Sequence, residues 1–110
     1  MTSTQLSLTY LQPIDIYLHI PLHDFTAYCS LSNLDIFWDE QLAEALKASL
    51  HQQHFQILAQ SVDIQSSPER FIAYLKVLPA QLEVDLSIIT EALQQHAPLL
   101  NYQMHYYCPT

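Results

Sequence analysis

The 110-residue chain contains no glycine. At an ordinary frequency of about 7%, roughly eight would be expected. The absence excludes the glycine-rich phosphate loop, the dinucleotide fingerprint and the G-x-S-x-G nucleophile elbow, because each needs a backbone that only glycine permits. No cofactor is expected. Left-handed backbone falls to residues such as Asn33 and Asn101, so tight primed hairpins are disfavoured and type I or longer turns are expected.

Positive charge is also scarce. Lys47, Arg70 and Lys76 stand against eleven acids, a net charge of −8 with the six histidines neutral. The acids run from Asp15 to Glu91, so they form a field and not a tail. Such a field disfavours nucleic acid and anionic membranes, and three bases neutralise few phosphates. It favours a basic protein partner, or serves solubility alone. Protonating all six histidines would take −8 to −2, so the field should collapse between about pH 7 and pH 5.

Long apolar runs are missing too. None approaches the ~18 residues of a membrane span, and Lys76 breaks the best, Phe71 to Leu78. The N-terminal region has no base before Lys47 and no uninterrupted apolar segment, so no secretory signal is read. A cytoplasmic protein with Cys29 and Cys108 reduced is expected.

What the chain does have is a 50% hydrophobic composition with 13% charged residues, the make-up of one folded domain spanning 1–110. Ile14, Ile16, Leu18, Ile20 and Leu22 alternate strictly with Asp15, Tyr17, His19, Pro21 and His23, which predicts a half-buried strand. Pro21 cannot donate to a ladder and marks its end or an edge. Residues 5–11 and 55–64 read as further strands, and 24–34 as a loop. Trp38, Leu42, Ala45, Leu46, Ser49 and Leu50 form one helical stripe, with Asn33 or Asp35 as cap. Leu100, Tyr102, Met104 and Tyr106 alternate with Asn101, Gln103, His105 and Tyr107, a last strand.

Residues 66–97 are open to two readings. Ser67-Pro68-Glu69 has the make-up of a helix start, yet Phe71 to Leu78 also fits a buried strand. Leu82, Val84, Leu86 and Ile88 alternate as a strand would, while Leu82, Leu86, Ile89 and Leu93 make a helical stripe. Helices are preferred for both segments, which gives ββαβααβ. With 70–78 as a strand, the core becomes ferredoxin-like βαββαβ. Either order is α+β, a mostly antiparallel sheet with two or three helices on one face.

The polar faces of the two clear strands hold the most suggestive chemistry. If those strands are neighbours, Asp15, Tyr17, His19, His105 and Tyr107 share one face, with contact area and hydrogen-bonding tips suited to recognition. A plain solvated face explains them equally. Asp39, Glu40 and Glu44 form a second candidate patch. Together they suggest a non-catalytic module that occupies a basic surface on another protein, in the manner of immunity proteins, antitoxins, anti-defence inhibitors or secretion chaperones. A homodimer or a subunit of a larger assembly is the alternative. His19, His23, Cys29, His105 and Cys108 are ligand types at weakly zinc-like spacing. No serine, cysteine or carboxylate pair is placed by spacing for catalysis, so an enzyme is not expected.

Overall fold

The computed structural model describes residues 5–108. Strand β1 spans Gln5–Ser7 and β2 spans Ile14–Pro21. Two short 3-10 turns, Leu22–Ala27 and Leu31–Asn33, lead into a continuous helical stretch over 34–52. That stretch opens as α1, Leu34–Phe37, widens into a π turn over Trp38–Leu42, and continues as α2, Ala43–Gln52. Then come β3, Gln56–Ser66, β4, Glu69–Leu78, β5, Glu83–Asp85, helix α3, Ser87–His96, and β6, Gln103–Tyr107.

The main sheet has the order β3-β4-β2-β6, with every neighbour antiparallel. Taken from β2 onward, this is the βαββαβ ferredoxin-like arrangement. Strands β1 and β5 pair separately as a two-stranded antiparallel sheet, Leu6 opposite Val84.

Residues 69–78 are therefore a central strand, which corrects the helical preference for that segment. Phe71, Ala73, Leu75 and Val77 are buried under the helices, while Ile72, Tyr74 and Lys76 point outward and are half-buried. The outward residues include two large apolar side chains, so hydropathy alternation is masked, as in a strand covered on both faces. Ser67-Pro68 is the two-residue turn between β3 and β4, joined by a cis peptide bond. The next segment divides: 83–85 is strand and 87–96 helix. Leu86, Ile89 and Leu93 of the expected stripe are buried, and Leu82 is not.

The core lies between the sheet's inner face and the helices. Ile14, Ile16, Leu18 and Ile20 are fully buried, each contributing about 1.5–3 kcal/mol through removal from water. Phe25, from the segment expected as a loop, is also fully buried and meets Phe71 edge-on at 5.1 Å. Tyr28 stacks on Phe37 at 5.5 Å, and its hydroxyl oxygen accepts from the Leu99 amide at 2.6 Å. Leu31 stays exposed.

Helix ends also depart from expectation. Asn33 makes no side-chain capping bond to α1. The left-handed residue after α2 is His54, at φ 65°, and not an asparagine. It closes the helix in a Schellman arrangement: the Phe55 amide donates to the Leu50 carbonyl at 2.9 Å and the His54 amide to the His51 carbonyl at 3.0 Å.

Candidate functional site

Among the described residues, all three helices lie on one side of the main sheet and none covers its other face. Period-two alternation brings every second residue of four strands onto that face. One row reads Ala59, Lys76, Asp15, Tyr107 across β3, β4, β2 and β6. The next reads Ser61, Tyr74, Tyr17, His105, and the third Asp63, Ile72, His19, Gln103. Beyond it, Gln65 and Arg70 lie beside Pro21. The five residues expected to share a face, Asp15, Tyr17, His19, His105 and Tyr107, do share it. They line a shallow groove of about 740 Å³ together with Tyr74 and Ile72.

The side chains interlock. Tyr17 packs against Tyr74 at 5.0 Å between ring centroids and meets Tyr107 edge-on at 5.9 Å. Tyr74 donates its hydroxyl hydrogen to Asp15 Oδ1 at 2.6 Å. That bond to a carboxylate pushes the Tyr74 phenol up to about 12, with burial adding to the effect. His19 and His105 meet edge-on at 5.1 Å, and Arg70 Nη1 lies 3.4 Å from His19 Nδ1. Burial, then His105, then Arg70 lower the His19 pKa below its ordinary value.

Sequence reading missed Arg70, Ile72, Tyr74 and Lys76 because it preferred a helix there. Their even numbering against the odd-numbered Phe71, Ala73, Leu75 and Val77 was the available signal.

The face is also the charge-balanced part of an acidic protein. It carries two acids, Asp15 and Asp63, and two bases, Arg70 and Lys76. The other nine acids and Lys47 make up the whole −8. Asp35, Asp39, Glu40, Glu44 and Glu91 are exposed on the helical side. Asp39 lines a groove with Trp38 and Gln60, whereas Glu40 and Glu44 line another with Gln95 and His96. Glu44 is 3.6 Å from Lys47.

The zinc-type residues do not assemble: among the described residues no group of three or more His, Cys, Asp or Glu could hold a metal ion. His19 and His105 lie on the bare face. His23 lies in the first 3-10 turn, its Nε2 3.0 Å from Asp24 Oδ1. The other Asp24 oxygen accepts from the backbone and side-chain amides of Asn101, at 3.0 and 3.1 Å. Cys29 and Cys108 are free, partly buried thiols packed against the core. Burial raises the Cys29 pKa.

Among the described residues no helix is long and apolar enough to cross a membrane. No protein-family model matches the chain, and no curated protein matches it. The C-terminal domain of the MgtC protein from Mycobacterium tuberculosis resembles it in structure, with TM-score 0.55 and 8% identity over 94% of each chain. Part of a formyltetrahydrofolate deformylase from Pseudomonas putida KT2440 also aligns, with TM-score 0.49 and 11% identity, over 89% of this chain and 29% of that one. What the chain shares with the MgtC domain is an α+β fold.

Proposed function

We propose that the protein is a small, non-catalytic binding module that holds a basic partner protein. The observation that carries this reading is the segregation of charge: the entire −8 lies off the bare sheet face. Exposed charges separated by more than a Debye length, about 8 Å at physiological salt, are largely screened from each other. A basic surface is therefore attracted where the acids are, at Asp35, Asp39, Glu40 and Glu44. The aromatic face, with Tyr17, His19, His105 and Tyr107, supplies a second contact that excludes water without requiring net charge.

The test is a pull-down at low and high salt with three baits. A basic protein retained at low salt should be released at high salt and lost from a Glu40→Lys, Glu44→Lys bait. A bait with Tyr17→Ser and Tyr107→Ser would distinguish the aromatic contribution. Capture unaffected by salt and by both charge reversals would rule out the basic-partner reading.

One observation favours a second reading, a homodimer through the bare face. Asp15 and Lys76 are directly opposite on β2 and β4. A two-fold axis lying along the strands between them would set Lys76 of each copy against Asp15 of the other, and Tyr74 against Tyr17. Light scattering checks it: Lys76→Asp should yield monomers, and adding Asp15→Lys should restore the dimer. A wild-type monomer at high concentration would exclude it.

A further inference from the structure

We propose that Arg70, His19 and His105 form a subsite for a phosphoryl group on the bare sheet face. The three side chains come from three adjacent strands, β4, β2 and β6, and lie in successive rows, with His19 between Arg70 and His105 and in contact with each. Arg70 is half-buried in a protein with eleven acids, yet no carboxylate lies within ion-pair distance of it among the described residues. Its side-chain contact is instead a histidine ring nitrogen at 3.4 Å. A guanidinium presents five donors in a fixed fork, and an aromatic nitrogen uses one of them. An oxyanion in the cleft beside them would take up the others and accept from the His19 imidazole, while His105 lines the adjoining groove and adds charge from the next row.

The room for it is present. Beside Arg70 and His19 lies a cleft of about 280 Å³, bounded by Pro21, Asn101, Tyr102 and Gln103. Gln103 adds an amide donor at its rim, while the Asn101 amide there already donates to Asp24. Arginine, histidine and amide groups together are the donor set that binds phosphate through charge-assisted hydrogen bonds.

The neighbouring charges define how the site responds to pH. Asp63 on β3, diagonal to Arg70, opposes an anion from the face, and Asp24, bonded to Asn101 at the cleft, opposes it from the first 3-10 turn. Asp15 and Lys76 lie two rows away on β2 and β4 and offset each other. Histidine is the side chain that gains charge as pH falls through this range, and His19 and His105 are the histidines on the face. With both neutral, the face has no net charge; with both protonated, it is +2. Bound oxyanion and bound protons should therefore favour each other.

The experiment uses sulfate, a tetrahedral dianion whose charge is constant across the range, as the phosphoryl probe. Histidine side-chain NMR signals are followed at pH 6 in sodium sulfate and in sodium chloride of equal ionic strength. Sulfate should shift His19 and His105 saturably, and more tightly at pH 6 than at pH 8. Arg70→Gln should weaken binding about tenfold or more, the loss of a charge-assisted pair. Asp63→Asn should strengthen it, and Lys76→Gln should leave it unchanged; amide spectra of each variant establish that it is folded. Equal shifts in chloride, no saturation, or equal weakening by Lys76→Gln would reduce the effect to general screening and overturn the site. Acetate binding as tightly as sulfate would overturn the phosphoryl assignment. None of these outcomes depends on whether the face also contacts a protein.

Discussion

Tyr74 reaches across from β4 to donate to Asp15 on β2, one row from its own cross-strand neighbour Tyr17. The bond pins Tyr74 against the Tyr17 ring and fixes the middle of the bare face. Ultraviolet titration of wild type against Tyr74→Phe should isolate one phenol ionising near pH 12. Asp15→Asn should return it towards 10, the ordinary value. The folded pKa is raised, so the associated stability is complete below pH 10 and is lost as pH rises towards 12. An unchanged Tyr74 titration in Asp15→Asn would contradict the assigned bond.

The two sides of β4 should respond to truncation very differently. Phe71 is fully buried between Phe25 and Trp38, with ring centroids 5.1 and 5.0 Å away. Phe71→Ala should cost about 3–5 kcal/mol in urea unfolding. Ile72, its outward neighbour, should cost about 1 kcal/mol or less when changed to alanine. Similar losses at both positions would argue against a strand with one face bare.

His54 occupies left-handed backbone in a chain with no glycine. A side chain there costs roughly 1–2 kcal/mol, and glycine's extra freedom in the unfolded chain offsets part of the gain. His54→Gly should raise stability by about 0.5–1 kcal/mol and lift Tm. His54→Val should lower both. A fall in Tm for His54→Gly would mean the imidazole makes a contribution larger than the strain.

The His19 pKa is lowered, first by burial and then by His105 and Arg70. The unfolded chain therefore takes up a proton at this residue before the folded chain does. The associated stability is present above the unfolded value of 6.5 and is lost as pH falls towards the folded value. Because burial comes first, His105→Gln should move the His19 titration upward only in part. Complete return to 6.5 would show that the charged neighbours dominate instead.

Legibility in the sequence followed the chemistry of the outward residues. On β2 and β6 those positions are Asp15, Tyr17, His19, Gln103 and His105, polar enough to mark the alternation, and both strands were readable. On β4 they include Ile72 and Tyr74, which blend with Phe71 and Leu75 into one apolar run. A serine-proline-glutamate turn in front then resembled a helix start. The cost was the half of the site that β4 carries, including Arg70. Which charges share the bare face depended on strand order, which no local pattern encodes. Cys108 illustrates the same limit: it is three residues from His105, and an odd spacing along extended chain sets neighbours on opposite sides.

The segregation of charge makes the molecule an electrical dipole as well as an anion. Near a positively charged surface it experiences a torque before it makes any contact, so encounters are oriented and not random. Attraction by charge thus sets the approach, and contact through Tyr17 and Tyr107 follows it.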